Sequence, residues 1–494
     1  MQGRKTHSFR LTDASVFFTP KKLLLNQDQS SNSISFSTSA PSEVNSSWVT
    51  ILIGRNGIGK SRFLASIAET FSQLEDPIKS SSRSRAEVNL KYSTAGATVD
   101  IRSLNGKFKI LVDGAAVQDL HKVPLPSKVI ALTTTPFDKF KISNWKRDSV
   151  FGATSNCYEY LGLRDRSGKA SAIAPLLKAI EGLFNISHGR IKRLDRVAGA
   201  FSFLGFKPEI EVVYRASHKR IEELASDNIQ LVMESFESQA AINDMKLAID
   251  YDAMASAAKL FIESSSSRNH ISIRADFDTH VNDINLYSQL EPLRKTRVIT
   301  PVEVIVTRQD GLKVDLQSAS SGEMSLVTAF LGLASVIEDG SLILIDEPEV
   351  SLHPEWQSGY IDLLLKTFSD YKGCHFIIAT HSPLIVGDID ANISNVVVME
   401  RNYSSDIEPI DISGKSSDHI LATAFQTPGK NNLYLKQEII KALRLAANGE
   451  VKSEEFQTTV EWLVSLLPKL EEEASVSKVI MNLQEVATEA EAAE

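Results

Sequence analysis

Residues 48–62 read Trp48-Val49-Thr50-Ile51-Leu52-Ile53-Gly54-Arg55-Asn56-Gly57-Ile58-Gly59-Lys60-Ser61-Arg62. An apolar run of strand length ends in a glycine-rich turn, and Phe63, Leu64, Ile67, Ala68 and Phe71 then recur at helical spacing. The order strand, turn, helix, with G-x-x-x-x-G-K-S in the turn, describes a phosphate-binding loop. Glycines let the backbone curl until successive N–H groups point at one anion, and the dipole of the following helix adds to their field. Lys60 is then placed for the β and γ oxygens of a nucleoside triphosphate and the Ser61 hydroxyl for a Mg2+ ion. Arg55, Asn56, Gly57, Ile58, Gly59, Lys60, Ser61 and Arg62 form the expected nucleotide-binding stretch. A chance glycine turn is the alternative, and the strand before it and the helix after it argue against that.

Two later segments complete the chemistry. Leu342-Ile343-Leu344-Ile345-Asp346-Glu347 is an apolar strand ending in two carboxylates. Asp346 is placed to hold Mg2+ and Glu347 to orient and deprotonate a water in line with the γ-phosphate. His381, 35 residues beyond Asp346, ends the run from Cys374 to Thr380 and is a candidate γ-phosphate contact at the tip of a neighbouring strand. Ser320, Ser321, Gly322 and Glu323 open an apolar helix expected over residues 324–337. A helix N-terminus rich in Ser and Gly is a second anion site, and with one triphosphate per chain it has to meet the phosphate of another subunit. Ser320 as N-cap with Glu323 at the third helical position is also a capping box, and the two roles are compatible.

These segments, in this order and spacing, resemble the ABC/SMC-like ATPase superfamily. The resemblance implies an α/β fold: an ABC-type ATPase head with an antiparallel β lobe and a P-loop core, interrupted by a mainly helical insertion and followed by C-terminal helices. It implies ATP and Mg2+ as cofactors, with Ser61 and Asp346 on the metal, Glu347 and His381 catalytic, and Ser320 and Gly322 as signature residues on a partner subunit's γ-phosphate. The expected divisions are 1–163 and 291–412 for the two halves of the head, 164–290 for the insertion, 413–470 for a helical partner-docking region and 471–494 for an acidic tail. Ser-Gly-Glu at 321–323 and Asp346-Glu347-Pro348-Glu349-Val350-Ser351-Leu352-His353-Pro354 are similar to stand-alone bacterial ATPases of phage-defence and DNA-maintenance operons. The short insertion and helical C-terminus look most like the ATPase subunit of Septu-type systems, which acts with an HNH nuclease. That reading implies a head-to-head ATP-sandwich homodimer that hydrolyses ATP slowly and regulates a partner nuclease in the cytoplasm. A DNA-maintenance SMC-like ATPase is one alternative. An overcoming-lysogenisation-type ATPase-nuclease, in which Glu400 would end a Toprim strand, is the other. One departure stands out: residues 133–138, where the superfamily carries its Q-loop, read Thr133-Thr134-Thr135-Pro136-Phe137-Asp138 with no glutamine, leaving Thr134 or Asp138 as substitutes.

Outside the motifs, residues 86–117 alternate in the strand manner with turns at Ala95-Gly96, Asn105-Gly106 and Asp113-Gly114, and Val129 to Leu132 is a buried-strand candidate. Residues 164–270 read as mostly helical, residues 302–316 return to strand patterning, and two helices are expected over 434–447 and 454–470. At 494 residues the chain suggests two to four domains or one large core carrying insertions, and 43% hydrophobic with 23% charged residues places it among folded globular chains. Two cysteines, Cys157 and Cys374, build no disulfide framework, and no apolar run reaches the length of a membrane span. The net charge of −9 argues against binding nucleic acid by bulk positive charge. Seven glutamates and one lysine in 471–494 supply six of those nine charges, so that tail is expected to be a disordered solubilising segment. Lys139, Lys141, Lys146 and Arg147, and Arg190, Lys192, Arg193 and Arg196, are candidate DNA or RNA contacts, with solvated helix faces as the plainer alternative.

Overall fold

The computed structural model describes residues 8–18, 31–36, 46–75, 86–104, 106–142, 157–164, 173–184, 197–226, 250–265, 269–278, 283–387, 389–390, 392–400, 404–407, 411–470 and 474–492. Its strands are β1 (Phe9–Phe18), β2 (Ser31–Ser35), β3 (Trp48–Ile53), β4 (Ala86–Thr94), β5 (Ala97–Leu104), β6 (Lys107–Val112), β7 (Ala115–Val117), β8 (Val129–Thr133), β9 (Tyr158–Leu161), β10 (Phe206–Ala216), β11 (His270–Asp276), β12 (Ile299–Arg308), β13 (Lys313–Asp315), β14 (Leu342–Asp346), β15 (His375–Ala379), β16 (Ser394–Met399) and β17 (Ser404–Ile407). They fold into two compact units, one of residues 1–162, 337–362 and 371–494, the other of residues 163–336 and 363–370.

The first unit is built on a seven-stranded sheet in the order β17-β16-β3-β15-β14-β8-β9, parallel throughout except for the antiparallel edge strand β17. β3, β8, β14, β15 and β16 are buried at every residue. A parallel sheet covered on both faces demands such unbroken apolar runs, which is why Trp48-Val-Thr-Ile-Leu-Ile53 and Leu342-Ile-Leu-Ile345 read as strands from sequence. The helix Lys60–Glu75 buries Phe63, Leu64, Ile67, Phe71 and Leu74 in the same core. A six-stranded antiparallel sheet, β2-β1-β4-β5-β6-β7, shares that core. Its β4 alternates between buried and more exposed residues, as a sheet wet on one face does. Ala95 and Gly96 (φ 50° and 83°), and Asp113 and Gly114 (φ 50° and 81°), make the two-residue hairpin turns that need left-handed backbone.

At the amino ends of β3, β15 and β16 a buried polar network ties these three strands to β1. The Leu11 N–H donates to His375 Nδ1 at 3.1 Å, so Nε2 carries the proton and donates to Thr50 Oγ1 at 2.9 Å. The Thr50 hydroxyl donates in turn to Asn395 Oδ1 at 2.7 Å, which also accepts from Trp48 Nε1. His375 is wholly buried and held neutral, well below the ordinary imidazole value, by burial and by the charge of Arg10. A folded state that refuses a proton the unfolded chain accepts is stable above pH 6.5 and loses stability as pH falls from there towards the depressed value. The expected slope is about 1.4 kcal/mol per pH unit for this group. Denaturant midpoints at pH 7.5 and 5.5 check it: wild type should lose more stability on acidification than His375→Gln, and equal losses would remove His375 as the cause.

In the second unit β11-β10-β12-β13 form an antiparallel sheet, beside the helices Ile173–Phe184, Val197–Phe203, His218–Ala225, Tyr251–Ser264 and Ser321–Val336. The helical reading of residues 164–270 missed β10, whose Pro208 lies in the register break between Phe206 and Ile210, where a missing N–H removes no ladder bond. Residues 227–249 lie outside the described residues, as do Lys146, Arg147, Arg190, Lys192, Arg193 and Arg196 of the basic clusters.

The C-terminus of the first unit corrects one expectation. Residues 474–492 are not a disordered tail but the helix Ala474–Ala492, which packs on the helices Leu433–Ala447 and Glu454–Leu466. Ile480, Leu483 and Ala487, spaced three and four apart, enter a cluster with Phe456, Leu463 and Leu466, while Glu485 and Glu489 are exposed on the same helix. Among the described residues no helix is long and apolar enough to cross a membrane.

Candidate functional site

The loop after β3 leads directly into the helix Lys60–Glu75. Gly54, Gly57 and Gly59 take φ of 155°, 78° and 110°, values that side-chain-bearing residues rarely adopt. Arg55, Asn56 and Gly57 are exposed on the loop, Ile58, Gly59 and Ser61 are half-buried, and Arg62 is exposed on the first helical turn. Lys60 is only 4% exposed and donates to the Gly54 carbonyl at 2.7 Å. Burial lowers its ammonium to about 8, against the pull of Glu349, Glu347 and Asp346, so it remains protonated at neutral pH.

Asp346 ends β14, two strands from β3, Glu347 follows it, and His381 follows β15 between the two strands. His381 Nε2 lies 2.8 Å from Lys60 Nζ and Nδ1 lies 3.2 Å from it. Burial and the Lys60 charge lower the imidazole to about 4, so the ring is neutral and Nε2 accepts from the ammonium. Glu347 Oε1 stands 3.9 Å from the same nitrogen. The Glu347 backbone is left-handed, φ 50°, and pinned on both sides: its N–H donates to Ala379 O and its carbonyl accepts from Thr134 Oγ1, both at 2.9 Å. Such a conformation in a non-glycine residue persists where the surroundings over-determine it, and it clusters at reactive sites.

Asp346 is 1% exposed. Burial pushes its carboxyl up to about 7, against a hydrogen bond from Ser61, and the charges of Glu347 and Asp138 add to the rise. Its Oδ1 has no hydrogen-bond partner among the described residues. An orphaned carboxylate oxygen beside a hydroxyl is a hard-oxygen donor pair, which fits Mg2+. Of the two substitutes for a Q-loop glutamine, Thr134 braces the Glu347 carbonyl. Asp138 is buried, with its carboxylate accepting from Tyr160 Oη at 2.8 Å and Phe140 N at 2.9 Å.

Sequence reasoning assigned no role to Glu349. Its Oε1 accepts from the His381 N–H at 2.5 Å and its Oε2 from Thr380 Oγ1 at 2.9 Å, so the segment after β14 fixes the tip of β15. Burial raises this carboxyl above its ordinary value. The only signal was its place in the quoted Asp-Glu-Pro-Glu run, where nothing showed which backbone it would meet.

Ser320, Ser321, Gly322 and Glu323 lie in the second unit, at the start of the helix Ser321–Val336. The Ser320 N–H donates to Glu323 Oε2 at 2.9 Å and the Glu323 N–H to Ser320 Oγ at 3.2 Å, a complete capping box. Ser320 and Ser321 are exposed and Gly322 is buried. The first unit thus brings together Lys60, Ser61, Asp346, Glu347 and His381, while the four signature residues stand on the other unit.

The retron Ec83 probable ATPase of Escherichia coli is 21% identical over 418 residues, 76% of this chain and 71% of that protein. The retron Vc95 probable ATPase of Vibrio cholerae serotype O1 biovar El Tor is 22% identical over 388 residues, covering 70% and 68%. Among solved structures, the SMC head domain from Thermotoga maritima aligns over 81% of this chain and 98% of that one at 14% identity with a TM-score of 0.34, a likeness too low to carry any argument. The family model described as AAA domain, putative AbiEii toxin, Type IV TA system matches residues 140–387, half of the chain. That stretch holds Ser320 to Glu323, Asp346, Glu347 and His381 and leaves the phosphate loop outside it. The chain therefore belongs to the AAA-domain family described as putative AbiEii toxin, Type IV TA system.

Proposed function

We propose that this chain binds ATP with Mg2+ and hydrolyses it slowly, in composite sites formed between two copies, to regulate a partner nuclease in phage defence. The observation that carries the ATPase reading is the convergence of Lys60, Asp346, Glu347 and His381 at the carboxyl ends of β3, β14 and β15. Ligands of parallel α/β sheets bind at that edge. The loop N–H groups and Lys60 hold the β and γ oxygens, and neutral His381 donates the N–H of its ring to a γ-phosphate oxygen in place of its contact with Lys60. Glu347 takes a proton from the attacking water, whose oxygen bonds to the γ phosphorus as the bond to the bridging oxygen of ADP breaks. Ser61 and Asp346 would hold Mg2+, which when bound neutralises charge on the phosphates. Kinship with proteins named as retron ATPases supports the defence setting, and the Septu-like pairing with an HNH nuclease is the finer form of the reading.

The two-copy arrangement rests on the exposed Ser320 cap, whose second role is a partner's γ-phosphate. Complementation tests it. Lys60→Ala and Ser320→Arg proteins are each expected to be inactive, and mixing them should restore part of the ATPase activity, because one site of a mixed dimer keeps both residues. A Ser320→Arg protein with full activity, or no recovery on mixing, would contradict composite sites.

A further inference from the structure

A cavity of about 480 Å³ opens on the side of the phosphate loop facing β16. The catalytic cluster lies towards β15 and β14, on the other side of β3, so one loop separates two chemically different places. Val398 and Met399 of β16, Ile58 of the loop and the ring of Phe425 give the cavity apolar walls, and Asn56, Glu400 and Gln426 add polar groups. Its floor is held closely: a Cβ on Gly54 would stand 2.6 Å from the Met399 carbonyl oxygen, so loop and strand touch backbone to backbone. Its far wall, residues 424–426, is fixed from the C-terminal helices by Lys469, whose ammonium donates to Gln426 Oε1 at 2.7 Å, and Gln426 itself holds a left-handed φ of 49°.

We infer that this cavity takes the base and ribose of the nucleotide whose phosphates the loop holds. The inference rests on the nucleotide reading above. The volume suits a nucleoside, and the lining divides about evenly between apolar walls and polar groups, Arg55 among them, as a base with its ribose presents both kinds of surface. Phe425, half-buried, offers an aromatic face against which a base of any identity can stack, and the amides of Asn56 and Gln426 offer both donors and acceptors to its edge. Because residues 424–426 are tied to Lys469, a base in this cavity is in contact with the element that leads into the C-terminal helices.

Binding of ATP and of inorganic tripolyphosphate to the full chain, each with Mg2+, separates this inference from the reading beneath it. Phe425→Ala should weaken ATP about tenfold and leave tripolyphosphate unchanged. Gln426→Trp, which fills the cavity from an exposed position, should do the same, whereas Lys60→Ala should lose both ligands. Unchanged tripolyphosphate affinity also reports that each variant is folded. If Phe425→Ala and Gln426→Trp bind ATP as wild type while Lys60→Ala does not, the nucleoside lies elsewhere and the phosphate site stands. If Lys60→Ala keeps full affinity for both ligands, the nucleotide reading fails and the cavity with it.

Discussion

A Glu347→Gln protein is expected to keep its ATP and to lose hydrolysis by about 10²- to 10⁴-fold, the range that a positioned general base contributes. The substitution is nearly isosteric and leaves the backbone features that set the residue untouched: the left-handed φ, the N–H bond to Ala379 and the carbonyl bond from Thr134. What changes is the ability to accept a proton 3.9 Å from His381 Nε2. Removing one negative charge beside Lys60 and Asp346 also reduces repulsion of the incoming triphosphate. ATP affinity should therefore hold or rise while turnover collapses. Single-turnover hydrolysis and equilibrium binding on the same preparation read the two separately, and a variant that loses binding and turnover together would move Glu347 from base to binding group. Lys60→Ala is the opposite control, because it removes the cation from among three carboxylates and takes binding with it.

The parts of this site legible in sequence are those built from contiguous residues. Gly54 to Ser61 form their loop from their own backbone, and Asp346 and Glu347 follow an apolar run that can only be a buried strand, so type and place are written in one dimension. The hairpins around Ala95-Gly96 and Asp113-Gly114 were legible for the same reason. Glu349 was not, because its role is to receive the backbone N–H of His381 from another strand, a pairing that exists only after β14 and β15 lie side by side. β10 was hidden by charged residues and by Pro208, whose helix-breaking character was outweighed by helical patterning on both sides. The helix Ala474–Ala492 was hidden by its glutamates: composition suggested a solvated tail, while Ile480, Leu483 and Ala487 carried the periodicity that docks it. Net charge describes what faces water and says little about which face is buried.

Two glycines of one loop should respond differently to the same substitution, and the contrast tests whether close approach or backbone conformation governs the proposed phosphate cradle. Gly57 has φ 78°, and a Cβ added there meets nothing within 4 Å. Gly57→Ala therefore has only the left-handed conformation to oppose it, about 1–2 kcal/mol, with roughly a tenfold loss of nucleotide affinity. Gly54 has φ 155°, and its added Cβ would sit 2.6 Å from the Met399 carbonyl oxygen, a backbone atom of β16, which pairs in parallel with β3. That atom cannot swing aside as a side chain would, so either β16 gives way or the loop lifts. Lifting the loop also displaces the Gly54 carbonyl that holds Lys60 Nζ at 2.7 Å, and the ammonium then loses one of its two contacts. Gly54→Ala should accordingly weaken ATP by more than about 100-fold, over 2.7 kcal/mol, and lower the thermal midpoint of the first unit. Calorimetric titration with ATP on both variants decides it: equal losses would show that conformation alone sets the cradle, and a Gly54→Ala protein with wild-type affinity would show that β16 yields.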